Sequence, residues 1–181
     1  MTRFALAALM VLSGLCLHAA PPPQAAVDAG AAAKAAASTA LSPAAGSDAA
    51  VVLSFYGALN QGDTAALSAL LAPGFRSDAS LPGLKPGAQG LEAWAAGLRQ
   101  AFPDGQVVVL DCLSQGSQVA VRYRFTGTQR GRFLSLRPTR RYAKVLGMDL
   151  WTVKDGKLTA QSGGFDALGL LVQLGIAPEL H

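Results

Sequence analysis

Apolar residues recur at helical spacing once the chain passes Ser47, a candidate cap: Val51, Val52, Phe55, Tyr56 and Leu59 fall on one face. Asn60-Gln61-Gly62 closes this predicted helix, and Asp63 is placed to cap a second, short one with Leu67, Leu70 and Leu71 as its stripe. Pro73-Gly74 reads as its stop, followed by a Gly- and Pro-rich loop from Ser77 to Gly87. A third helix carries Leu91, Trp94, Ala95, Leu98, Ala101 and Phe102, and Pro103-Asp104-Gly105 ends it. From Gln106 the period falls from 3.6 to 2. Strands are predicted over Gln106–Leu113, Gln118–Phe125, Arg132–Leu136, Tyr142–Val153 and Leu158–Gly164. In the second of these, Val119, Val121, Tyr123 and Phe125 face one way, and Ala120, Arg122 and Arg124 the other. Lys154-Asp155-Gly156-Lys157 is a hairpin turn, and Asp166–Leu174 a final short helix stopped by Gly175. Helices first and an antiparallel run afterwards mean an α+β fold, with the helices on one face of the sheet.

The first 47 residues carry no such period. Met1-Thr2-Arg3 gives a positive start, and Phe4 to Leu17 is an uncharged run too short for the roughly 20 residues of a membrane span. This fits a secretory leader cleaved near Ala19 or Ala20, so residues 1–20 are expected to leave and the protein to be exported, periplasmic or secreted. The rival reading is a lipoprotein acylated at Cys16, although Leu15 stands where a small residue is usual. No stable membrane span is expected after processing. Residues 21–47, rich in Ala and Pro, read as a disordered tether, which leaves 48–181 as one folded domain. With Cys16 gone, Cys112 has no partner for an intrachain disulfide. It lies on the side of its strand shared with Val108 and Leu110, and reads as a buried small apolar residue.

Composition narrows the chemistry. The two histidines of the 181-residue chain are His18 and His181, so neither a Ser-His-Asp nor a Cys-His arrangement has a well-held imidazole. No metal site is expected, no phosphate-binding glycine motif appears, and no cofactor is called for. Carboxylates, tyrosines and arginines remain. Asp63 reads as a cap, Asp104 and Asp155 as turn residues, and Glu92 as solvated. Asp111, Asp149 and Asp166 border apolar positions. Asp166, after Gly163-Gly164, has two readings: a helix cap, or a carboxylate beside an apolar cavity with a raised pKa suited to proton transfer. Between Cys112 and Met148 there are eight Lys or Arg residues and no acid. They read as a solvated basic sheet edge or a surface for an anionic ligand or membrane, with nucleic acid disfavoured in an exported protein.

Several segments in order carry a resemblance. They are Phe55-Tyr56-Gly57-Ala58-Leu59-Asn60-Gln61-Gly62-Asp63, Ala101-Phe102-Pro103-Asp104, Val119-Ala120-Val121-Arg122 and Gly127-Thr128-Gln129-Arg130-Gly131. Arg137-Pro138-Thr139, Asp155-Gly156-Lys157-Leu158, Asp166 and Leu170-Leu171-Val172-Gln173-Leu174-Gly175 follow. Together they resemble the SnoaL-like polyketide cyclases, or ester cyclases, of the nuclear-transport-factor-2-like superfamily. The resemblance implies a cone-shaped barrel of three N-terminal helices packed in a strongly curved antiparallel sheet, with a short C-terminal helix. It implies a largely apolar pocket for a small apolar or carbonyl-containing ligand, frequent homodimers, and aldol-type ring closure without metal or cofactor. Asp166 matches the family's acid/base, with Tyr56, Tyr123 or Arg122 as donors to the enolate. Trp94, Phe102, Gln129 and Asp149 complete the expected pocket. Gln129 stands where the family usually has histidine, and Ala160-Gln161-Ser162 replaces a Glu-x-Trp type segment. Three functions stay open: a cofactor-independent cyclase-like enzyme with Asp166 as base, a non-catalytic binding module, or an envelope-surface protein using the basic sheet.

Overall fold

A computed structural model describes residues 43–78 and 85–177. The expected leader and most of the tether, with Cys16, His18 and His181, lie outside the described residues. Helix α1 spans Asp48–Gln61. The Ser47 side chain accepts from Ala50 N at its start, and Gly62, left-handed at φ 70°, ends it. Helix α2 (Thr64–Leu70) is capped by Asp63, and strand β1 (Leu71–Ser77) follows without a break. Helix α3 runs from Ala88 to Ala101, and strands β2 (Gln106–Gln115), β3 (Gln118–Thr128), β4 (Tyr142–Lys154) and β5 (Lys157–Phe165) come next. Helix α4 (Ala167–Gln173) ends the order, and among the described residues no helix is long and apolar enough to cross a membrane.

The sheet order is β1-β5-β4-β3-β2, a curved and unclosed five-stranded sheet around the helices. The fold is therefore the expected α+β cone, with two corrections to the sheet. Strand β1 pairs parallel with β5, so the sheet is mixed. Pro73-Gly74 concealed it: proline removes a ladder donor and is tolerated on an edge strand, here within a register shift between Leu71 and Arg76. Arg132–Leu136 is a correction of the opposite sense. Phe133 and Leu136 exchange backbone hydrogen bonds across a tight turn, with Leu134 at φ 54°, and form an isolated bridge rather than a strand.

The concave face is apolar. Val119, Val121, Tyr123 and Phe125 of β3 and Ala143, Val145, Trp151 and Val153 of β4 are buried against Val52, Phe55 and Leu59 of α1 and Phe102 after α3. Alternation leaves Leu146, Met148 and Leu150 exposed on the convex face. Two bulges change which residues face inward. The register shift between Val109 and Asp111 puts Cys112 on the side of Val107, buried as expected, but not with Val108, which is exposed. A second shift, between Thr152 and Val153, lets both Leu158 and Gln161 of β5 face in although they are an odd number apart.

Two side-chain amides fasten the elements. Asn60 Nδ2 donates to Val107 O at 2.8 Å and Asn60 Oδ1 accepts from Val107 N at 2.7 Å, joining the end of α1 to the start of β2. Gln129, fully buried, binds its own loop: Oε1 accepts from Thr139 N and Oγ1, and Nε2 donates to Arg137 O. Its removal leaves part-buried groups of the loop, Thr139 N and Arg137 O, without these partners. Gln129→Ala is expected to lower unfolding free energy by about 2–4 kcal/mol, measured by urea denaturation, without altering ligand uptake.

Candidate functional site

A cavity of about 350 Å³ opens between α1, the start of α3 and the concave face of β3, β4 and β5. Six aromatic residues line it: Phe55 and Tyr56 from α1, Trp94 from α3, Tyr123 from β3, Trp151 from β4 and Phe165 from β5. Tyr56 meets Trp151 edge-on and lies 5.6 Å from Tyr123, centroid to centroid. Ser77, Lys85 and Gln161 add polar atoms, and Asp149 is the one acid among the described lining residues.

Asp149 faces inward because it shares the parity of Ala143, Val145, Trp151 and Val153 along β4, and it is 8% exposed. Both carboxyl oxygens are held. Tyr56 donates its hydroxyl to Oδ2 at 2.6 Å, and Gln161 Nε2 donates to Oδ1 at 2.8 Å. Each donor is itself fixed. Trp151 Nε1 donates to the Tyr56 hydroxyl at 3.1 Å, and Ser77 Oγ donates to Gln161 Oε1 at 2.6 Å. Burial pushes the Asp149 pKa above the usual carboxylate value, while the bonds from Tyr56 and Gln161 pull it back only in part. Burial, then the neighbouring Asp149 charge, pushes Tyr56 and Tyr123 up and keeps both phenols protonated. Gly163, at φ 146°, leaves the carboxyl uncovered, since a Cβ there would stand 2.7 Å from Asp149 Oδ1. The arrangement is an oriented, buried carboxyl on a cavity lined by aromatic rings, fit to take up or release a proton.

Of the expected pocket residues, the structure brings together Tyr56, Trp94, Tyr123 and Asp149. It does not place Phe102, Arg122 or Gln129 on this cavity. Phe102 is core, edge-on to Phe125 and Phe133. Arg122 has the opposite parity to Tyr123, so it lies on the convex face, paired with Asp111. Gln129 is spent on its loop, as described above. Asp166, expected as the acid/base, is an exposed cap: its carboxylate accepts from Gly169 N at 2.8 Å, and it does not line the cavity although Phe165 and Ala167 do. The helix-cap reading of that residue is the one the geometry follows, and the aspartate facing the cavity is Asp149. Gln161, Trp151 and Ser77 were not expected. Trp151 was legible from the parity of Asp149, whereas the bulge after Leu158 concealed Gln161 and the unrecognised β1 concealed Ser77.

No cluster of three His, Cys, Asp or Glu residues able to hold a metal occurs among the described residues. The raised Asp149 pKa has a consequence for stability. Between the ordinary carboxylate pKa and the higher folded value, the native state binds more protons than the unfolded chain, so this group's stabilising contribution is lost as pH rises. Melting temperatures of wild type and Asp149→Asn are expected to diverge in favour of Asn from about pH 4 towards neutrality. A constant difference across that range would contradict the assigned shift.

Comparison with known proteins follows the geometry. The sequence profile of the SnoaL-like polyketide cyclases matches residues 50–174. TsrD from Streptomyces laurentii superposes with a TM-score of 0.64 at 27% identity, over 70% of this chain and 93% of that one. IdmH from Streptomyces antibioticus gives 0.62 at 27% identity, covering 71% and 98%. A SnoaL-like protein from Jannaschia sp. CCS1 gives 0.63 at 26% identity, covering 72% and 93%. The comparison with curated protein sequences returns no match. With its profile, its element order and its cone in agreement, the chain belongs to the SnoaL-like polyketide cyclase family.

Proposed function

We propose that this is an exported, cofactor-independent enzyme that moves a proton on a small, largely apolar carbonyl compound, with Asp149 as acid and base. The observation that carries the reading is the buried Asp149 carboxyl, oriented by Tyr56 and Gln161 and left uncovered by Gly163. In an aldol-type closure, the carboxylate takes a proton from the carbon next to a carbonyl. The enolate carbon then bonds to a second carbonyl carbon of the same molecule, and the resulting alkoxide takes the proton back from the carboxyl group. Atoms balance without an oxidant, a metal or an added group. The substitution of glutamine for the family's usual histidine does not argue for a silent site, because Gln129 lies away from the cavity.

The test uses 2-tetralone, a ketone small enough for the cavity and with an acidic C–H beside its carbonyl. Deuterium uptake in heavy water is expected to be catalysed by the wild type, to fall about a hundredfold or more in Asp149→Asn, and to stay within about twofold in Asp166→Asn. The reverse pattern would return the role to Asp166. Binding without catalysed exchange by the wild type would favour a non-catalytic pocket.

A homodimer is proposed for the convex face. Leu146, Met148 and Leu150 form an exposed apolar row on β4, with Met148 63% exposed, and Leu113 of β2 adds to the patch. Among the described strand residues the outward-facing acid, Asp111, is paired with Arg122, so a second copy can cover the apolar row without stranding that carboxylate. Met148→Asp is expected to shift the sedimenting species from dimer to monomer. A wild type that sediments as a monomer would remove the proposal.

A further inference from the structure

Two groups of opposite charge line the main cavity, and they differ in depth. Among the described lining residues Asp149 is the one acid and Lys85 the one cation. Asp149 is buried, with both oxygens held by Tyr56 and Gln161, whereas Lys85 is exposed. Among the described residues no carboxylate lies within ion-pairing distance of the Lys85 ammonium, the ion pairs there being Arg122 with Asp111 and Arg130 with Asp104. The cation at the cavity is therefore not consumed by the fold.

The backbone that carries Lys85 is closely specified. Gly87, just before α3, has φ 78° and ψ −163°, a region that essentially only glycine occupies. A Cβ there would also stand 3.2 Å from Phe75 O of β1. Gly90, buried in the first turn of α3, lies directly against the Lys85 backbone, since a Cβ there would overlap Lys85 O. Pro86 disfavours helical backbone at the residue before it, so α3 starts after Lys85 rather than through it. Lys85, Pro86, Gly90 and Leu91 all line the cavity as a result. The turn fixes where Lys85 leaves the backbone, and its four-carbon stem lets the ammonium follow a ligand.

A wholly apolar ligand would give this cation nothing to bind, because an ammonium offers three donors and requires an acceptor. A carboxylate on the ligand suits it well, since a charge-assisted hydrogen bond is stronger than a neutral one. The reverse placement is unfavourable. A ligand carboxylate turned inward would meet Asp149 at the buried end, where desolvation and like charge both oppose it. The two groups therefore select a direction as well as a charge.

We propose that Lys85 forms an anion subsite at the exposed end of the cavity, so that the ligand is a carbonyl compound bearing a carboxylate, its apolar body among the aromatic residues and its acid end outward. This deepens the reading of the cavity as a substrate site and rests on it, but the preference for a carboxylate is read in binding, apart from proton transfer. Lys85 moves no proton here; it chooses which carbonyl compounds enter, and in which orientation.

The experiment compares tetralin-2-carboxylate with its neutral carboxamide on the full chain by calorimetry, with 2-tetralone as an uncharged control. The wild type is expected to hold the carboxylate about fivefold more tightly than the amide, a preference that shrinks as salt is raised. Lys85→Met removes the charge and keeps most of the stem. It is expected to erase the preference while leaving the affinity for 2-tetralone within about twofold. Lys85→Arg is expected to retain the preference and Lys85→Glu to invert it. Equal affinity for acid and amide in the wild type, or a preference that survives in Lys85→Met, would overturn the subsite. So would a parallel loss of 2-tetralone in Lys85→Met, which would show that the residue shapes the turn rather than reads the ligand's charge. Asp149→Asn separates this subsite from the base assignment. If deuterium uptake by 2-tetralone survives that change, the base assignment fails while the carboxylate preference still reports on Lys85; if uptake is lost and Lys85→Met changes nothing, only the anion subsite fails.

Discussion

The site depends on one unfavourable act, the removal of the Asp149 carboxyl from water. A carboxylate in an aromatic cavity is tolerated only if its oxygens find donors, and the fold supplies one from each side: Tyr56 from α1 and Gln161 from β5. Much of the architecture follows from that requirement. Helix α1 must lie across the concave face for Tyr56 to reach β4, and the Asn60 amide pins its far end to β2. Trp151 must lie beside Tyr56 to hold its hydroxyl, and does so one inward step along β4 from Asp149. Where two donors hold the carboxyl, a third neighbour is withheld: Gly163, on the cavity wall, carries no Cβ against Asp149 Oδ1.

The elements with a strong period were legible. Helices α1 and α3 and strands β3 to β5 show it over ten or so residues, and the Asp155-Gly156 turn is written in its composition, with both residues at positive φ. Of the site, Tyr56, Trp94, Tyr123 and Asp149 could be named from sequence, but their convergence could not. Alternation predicts facing only until a bulge intervenes, and the shifts in β2 and β5 each reverse it. Arg122 shows the same logic from the other side, since alternation alone set it opposite Tyr123 while the resemblance offered it as a donor.

Asp166 and Gln129 show why a matched motif does not transfer a role. Both occupy positions the family marks as chemical, and in this chain both are consumed by backbone: Asp166 by the first turn of α4, Gln129 by the loop that reverses β3 into β4. A side chain that satisfies a helix end or a buried turn has little freedom left for a ligand. The family match fixes the fold, and the chemistry has to be read from which carboxyl the fold aims inward.

Strand β1 has a mechanical meaning beyond completing the sheet. It is a border strand, interrupted by proline and joined to the rest through β5, yet its last residue, Ser77, holds the Gln161 amide that holds the carboxyl. The buried carboxyl is thus tethered, through two side chains, to an edge strand of the sheet. A slip of that margin would turn the glutamine and re-aim the acid, so the precision of the centre is only as good as the hem.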